Sequence, residues 1–474
     1  MKVITTCMAV VLLLLVTACG KKTAKEHADV YPSIFPDYTE VTIPANIAPL
    51  NFMVKDAQSI KVGIKVPNGE LYWFTGKTSI SIPQRKWTEI LRQSRGQTVE
   101  VEVSVWNNMH REGIQYKRFP VYVSNDEIDP WVAYRLIPPG YEGYRYMGIF
   151  ERNLTSFEVQ PIIVNSQIHM GCVNCHSFAD YSPSHFMFHA RGEGGGTILY
   201  DNGRLEKCTI KRDVAKGASY GYWHPSGKYI AFSANATRQN FYGHSRDKLE
   251  VYDIESDLFV YDVGQKEIIA DSRLNDSLNW ETFPSFSPDG KTLYFCTAKP
   301  VKMPMEYDKL HYSIVKINFN SDGSLGETID TLYNANTQGG SALLPRISPD
   351  GRYLLFTWAE CGAFHIHHKE ADLKLLDLNT NQLIPTDELN SRDVESYHSW
   401  ASNGKWIIFS SKRVDTRYTR LFMAHWDGSK FGKPFMLPQK EPDDNVQLLY
   451  SYNIPEFLKE PVRLNKDALA KQFE

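Results

Sequence analysis

The sequence predicts an all-β chain: a β-propeller of about six four-stranded blades, preceded by a small sandwich-like β domain. Two observations carry this expectation. Residues 216–440 repeat one design four times, whereas residues 45–127 show strand-type alternation that belongs to no repeat. A third observation bounds the partners. Formal net charge is −3 over 474 residues, with acids and bases interspersed, so no basic stripe for nucleic acid exists.

The four copies are YWHPSGKYIAFS from Tyr222, PSFSPDGKTLYFC from Pro284, PRISPDGRYLLFT from Pro345 and HSWASNGKWIIFSS from His398. Each places a turn ending in Gly227, Gly290, Gly351 or Gly404 before an apolar strand. Glycine supplies the positive φ that such tight turns require. Successive glycines lie 63, 61 and 53 residues apart, which suits four-stranded units with loop insertions. No such unit can bury both faces of its own sheet, so the units must stack in a ring.

Turn, strand and the SSKR of residues 410–413 resemble the TolB-type propeller repeat, also found in prolyl-oligopeptidase-like proteins. The last copy departs from the pattern with Ala-Ser-Asn in its turn. Residues 128–215 are expected to supply the first propeller strands and a cofactor-binding insertion. Repeats then run over 216–460, and residues 461–474 form a tail.

In the 45–127 domain, Ile60, Val62, Ile64 and Val66 alternate with polar or small residues. Asn68-Gly69 then turns the chain into LYWF, a strong hairpin signal. Val99, Val101, Val103 and Val105 repeat the alternation, and Trp87, Ile90 and Leu91 mark one short helix stopped near Gly96.

The N-terminus, MKVITTCMAVVLLLLVTACGKK, has the layout of an export signal over residues 1–18, too short to span a bilayer comfortably. Val16-Thr17-Ala18-Cys19 resembles the lipobox of bacterial lipoproteins. That resemblance implies cleavage before Cys19, acylation of its thiol and a membrane anchor. Residues 19–44, polar and broken by prolines, read as a tether. The expected location is the cell envelope, on the periplasmic side of the outer membrane.

GCVNCHSF places Cys172, Cys175 and His176 in the C-x-x-C-H order of c-type haem attachment. Two thiols three positions apart add across the vinyl groups of one porphyrin edge, and the next residue offers its imidazole to the iron. The competing readings are a zinc half-site, a thioredoxin-like redox pair and a local disulfide. The first lacks a second ligand pair and the second a βαβ setting, while a local disulfide stays open in an oxidising compartment. Apolar residues flank the motif, as a haem pocket needs. Met187 and His189 are the candidate distal ligands, two apart in HFMFHARG and so on one face of a strand. His169, Met170 and His185 are weaker candidates.

Of the other cysteines, Cys296 is expected to be a buried structural thiol. Residues 217–221 match G-x-S-x-G without its strand-to-helix setting, and GEGGGT at 192–197 reads as a loop. His365, His367 and His368 beside Glu360 and Cys361 read as solvated loop histidines rather than a metal site. The implied function is one-electron transfer with a protein partner, the propeller acting as docking scaffold. The alternatives are a ligand-binding propeller with a structural or sensory haem, and an oxidoreductase with substrate at the axis.

Overall fold

The computed structural model describes residues 23–139, 145–208, 218–241 and 249–473. The expected signal peptide, Cys19 and Gly217 lie outside the described residues.

Six antiparallel sheets of four strands form among the described residues. Blades two to six each run outward in chain order. Their innermost strands are Cys172–Ala179, Ser219–Trp223, Trp280–Phe286, Ser341–Ile347 and Glu395–Trp400. Blade one is built from both ends of the propeller. Trp131–Ile137, Gly148–Asn153 and Val159–Val164 take their innermost partner from the C-terminal strand Ser451–Leu458. Adjacent innermost strands pack on one another around the whole ring.

Burial of sheet faces holds the ring together. One apolar cluster fills each gap between neighbouring blades. Cys296 is fully buried in the gap between blades four and five, as expected. The four repeat glycines sit in turns between first and second strands with φ of 66–76°, the left-handed region the sequence required.

The N-terminal domain is a seven-stranded sheet and a two-stranded ribbon around the helix Gln84–Ser94. Trp87, Ile90 and Leu91 face inward, in one core with blade six (Trp406, Ile408) and blade one (Val132, Tyr134). Asp129 fastens this junction, accepting hydrogen bonds from the Ser402 backbone N–H at 2.7 Å and its hydroxyl at 2.6 Å.

Two expectations are corrected. The tether does not extend to residue 44: Glu26–Ala28 pairs with Ile114–Tyr116, and Thr42–Ile43 pairs with Phe119–Val123. Tyr38, Val41 and Ile43 are buried between the prolines that made this segment look irregular. The tail is also integral, because Leu469 and Phe473 join the core between blades one and two.

Candidate cofactor site at the propeller axis

The haem-type motif is not looped out of the propeller. CVNCHSFA is the whole innermost strand of blade two. Its neighbours explain the local shape. Every innermost strand carries a register shift of one residue against its partner, a β-bulge. The shift falls at equivalent places in the six blades. Tyr220, Phe283, Leu344, Tyr397 and Ile454 occupy it with φ of 43–57°, and in blade two the extra residue is Cys175.

Aligned on the bulge, the strands read CHSF, YGYW, FPSF, LPRI, YHSW and IPEF, starting at Cys175, Tyr220, Phe283, Leu344, Tyr397 and Ile454. The fourth position is always aromatic or branched apolar and packs between blades. The first lines the axial cavity in all six blades, and in blade two it is Cys175. Non-glycine residues in the left-handed region cost about 1–3 kcal/mol each. Five of them encircle one cavity, where the bulge aims side chains inward.

That cavity encloses about 580 Å³, counting its open end, and Cys175, His176, Tyr220, Phe283, Tyr397 and Ile454 line it together with Arg346 and Glu456. Its walls are mostly apolar, with few polar groups.

His176 is 3% exposed, and neither ring nitrogen makes a hydrogen bond of good geometry. Burial, with the Arg135 charge adding and a contact with the Ile454 backbone opposing, pushes its pKa down to about 3. The imidazole is therefore neutral at physiological pH, with a lone pair free for a metal. Burial raises the Cys175 thiol, outweighing the pull of Arg135, so it rests protonated. Cys172 is half-buried at the start of the strand, directly across from Arg191. Asn174 between them accepts a short hydrogen bond from Arg135 Nη1.

The donor set fits a haem in type: a buried neutral imidazole and an adjacent thiol on an apolar cavity, with a second, half-buried thiol three residues earlier on the same strand. A local disulfide does not fit. Three extended residues span about 10 Å, beyond the roughly 7 Å Cα limit for a bridge, and both thiols are free.

Met187 and His189 do share one face, but it is turned to blade three. Met187 is fully buried in the cluster with Trp223 and Phe232, its methyl against Gly221. His189 Nδ1 bonds Thr197 Oγ1 at 2.9 Å, and burial, then Arg191, lowers its pKa to about 4. His176 instead pairs with Phe188 and meets the Phe178 ring on the face toward blade one. The structure therefore does not bring either candidate to His176. His185 is held by Asp201 and Asn202, and His169 by the Phe473 carbonyl.

Sequence reasoning missed Arg135, Arg346, Tyr397, His398 and Glu456. The shared pattern after the bulge, Pro, His or Gly, then a spacer, then an aromatic or branched apolar residue, is the signal that marks most of them. The 365–368 loop also needs correction. His365 and His368 are buried rather than solvated. His368 meets Tyr307 Oη at 2.6 Å, Glu250 at 3.3 Å and Glu370 at 3.4 Å. Burial would lower its pKa, but the hydrogen bonds to Glu250 and Glu370 override it and raise it to about 9. Among the described residues no group of three or more His, Cys, Asp and Glu is placed to hold a metal ion.

No family model matches the chain, and no curated protein matches it. Solved structures do. A nidogen in a nidogen/laminin complex is 11% identical with TM-score 0.41, the match covering 69% of this chain and all of that one. The β-propeller domain of the trilobed protease from Pyrococcus furiosus is 11% identical with TM-score 0.33, covering 71% and 81%. Hydrazine synthase from Kuenenia stuttgartiensis is 11% identical with TM-score 0.32, covering 82% and 96%. At these values none carries a functional argument. The propeller stands on the chain's own strand topology.

Proposed function

We propose that this chain is a lipid-anchored protein of the bacterial envelope, held in the outer membrane through acylated Cys19, with one covalent c-type haem on Cys172, Cys175 and His176. It passes single electrons to a protein partner, using a TolB-like propeller as docking scaffold. One observation carries the reading. The Cys-His of the motif lines the cavity at the propeller axis, and the imidazole there is buried, neutral and without a hydrogen bond of good geometry.

When bound, the haem supplies one-electron iron chemistry. The chain's own residues hold and shield it. His176 offers its lone pair, Cys175 and Cys172 offer thiols, and Tyr220, Phe283 and Tyr397 keep bulk water from the cavity. The innermost strands form a rigid wall, since each is packed on two neighbours.

A second reading has its own support. Arg346 and Glu456 put charge into the same cavity, which favours a ligand or substrate at the axis beside a structural or sensory haem.

The test is a pyridine haemochrome assay on protein expressed in an envelope that attaches haem. One haem per chain is expected, lost in Cys172→Ala plus Cys175→Ala. A haem-free product from that host, or haem retained covalently by the double variant, refutes the reading. Carbon-monoxide binding by the reduced wild type selects the ligand-binding alternative over electron transfer.

A further inference from the structure

The first residues of the N-terminal domain are fastened to one loop. Glu26–Ala28 is the edge strand of the large sheet and runs parallel to Ile114–Tyr116. Just before it, the Lys25 N–H reaches the carbonyls of Glu112 and Gly113 at 3.2 Å each, and the Glu26 N–H reaches that of Gly113 at 3.0 Å. Glu112 and Gly113 close the loop 107–113, which joins Thr98–Trp106 to Ile114–Tyr116.

This loop is firm at its base and apolar at its tip. Asn107 Oδ1 accepts the backbone N–H groups of Met109 at 3.0 Å and His110 at 2.8 Å, a side-chain turn that presents Met109 outward. Gln58 Nε2 holds Asn108 Oδ1 at 2.8 Å. Met109 is 80% exposed, more than any other large apolar side chain among the described residues. The acids beside it already have cations, Glu26 meeting His110 and Glu112 meeting Lys25. Arg111 is exposed and forms no ion pair among the described residues.

An apolar tip beside an unpaired guanidinium suits a phospholipid surface. The apolar side chain enters the boundary between headgroups and acyl chains, and the guanidinium meets phosphate. Chain length favours this occupant over a protein. Four residue steps separate Cys19 from Thr23, and six separate it from Lys25. Fully extended, they span at most about 14 Å and 21 Å. An acylated Cys19 therefore keeps the loop close to the surface that holds the acyl chains.

We propose that the 107–113 loop is a second membrane contact, with Met109 among the lipid headgroups and Arg111 on a lipid phosphate. The proposal rests on the lipid-anchor reading and adds an orientation to it: the protein lies on its N-terminal domain instead of swinging on Cys19.

The experiment uses the acylated full chain in vesicles of phosphatidylethanolamine and phosphatidylglycerol. A nitrobenzoxadiazole fluorophore is placed on Met109→Cys. Leu278→Cys, at a 67% exposed position in the loop between blades three and four, is the distant control. Label taken up by the unsubstituted chain is subtracted, and circular dichroism checks folding. Spin-labelled phosphatidylcholine should quench the probe at 109 at least twofold more than the probe at 278, with iodide quenching them in the reverse order. Arg111→Glu should at least halve the lipid quenching at 109. Equal quenching at the two positions overturns the contact while the anchor stands. Lipid quenching that Arg111→Glu leaves unchanged removes the arginine from it. Energy transfer between probes at 109 on neighbouring chains, without lipid quenching, assigns the loop to a second copy and overturns the lipid contact. Vesicle flotation separates the two readings: wild type that fails to float with the vesicles refutes anchor and contact together.

Discussion

Glu456 gives the axial cavity a pH-dependent cost that can be measured. It comes from the strand Ser451–Leu458, which closes the ring, and its Oε2 accepts the Phe178 backbone N–H at 3.0 Å. Oε1 is buried without a partner. Burial raises the carboxyl from 4.5 to about 7, against smaller opposing pulls from Arg346 and the Phe178 N–H. The folded state thus holds this proton more tightly than the unfolded chain. Its contribution to stability is full below pH 4.5, falls as pH rises toward 7, and is lost above it. Linkage with these two values makes the loss between pH 5 and 8 about 2–3 kcal/mol. Glu456→Gln keeps an acceptor for the Phe178 N–H and cannot ionise. Urea denaturation of both proteins at pH 5, 6, 7 and 8 isolates the effect, because titration of the buried histidines cancels in the difference. The variant should gain about 2–3 kcal/mol on the wild type across that range. An offset that stays constant from pH 5 to 8 would falsify the burial argument.

Glu395→Ala should cost about 3–5 kcal/mol in thermal or urea unfolding, because it strands Arg413, now paired at 2.9 Å with a carboxylate that is fully buried; a loss below 1 kcal/mol would show that water replaces the partner. Met187→Ala should destabilise by about 2–5 kcal/mol, since the side chain is fully buried between blades. The same variant should leave the visible and near-infrared spectra of the loaded protein unchanged, and loss of a thioether band would return Met187 to the iron. Cys19→Ser should release the chain from membranes into the soluble envelope fraction, and a variant that stays on the membrane after a high-salt wash would show another anchor.

Blades three to six were legible because each has the same Gly-ended turn between its first two strands. Blades one and two lack that signal for separate physical reasons. Blade two turns at Asp180-Tyr181, both with positive φ (45° and 60°), in a two-residue hairpin that carries no glycine. Blade one has no such turn, since its innermost strand arrives from 300 residues away in the chain. That closure is a long-range pairing, and local patterning has no access to it. The misread tether shares this cause. Pro32, Pro36 and Pro44 break its periodicity, yet Tyr38 and Val41 are buried by strands that lie far off in sequence.

The distal-ligand expectation turned on parity, and parity turned on one residue. Up to Asn174, paired with His189, the strand Cys172–Ala179 runs in simple antiparallel register. Continued unchanged, that register would set His176 directly across from Met187, on one face. Cys175 is the extra residue of the bulge, so His176 pairs with Phe188 instead and Met187 falls across from Ser177. A single insertion moves every later side chain to the opposite face. Nothing in HFMFHARG or CVNCHSFA alone announces the bulge. It becomes visible only when the strand is aligned with the other five innermost strands, each shifted at the equivalent point. The feature that takes Met187 away from His176 is therefore the one that sets Cys175 on the axial cavity, level with Tyr220 and Tyr397 of the other blades. Were a haem held by Cys175 and His176, those tyrosines and His398, rather than Met187, would be polar side chains lining its surroundings.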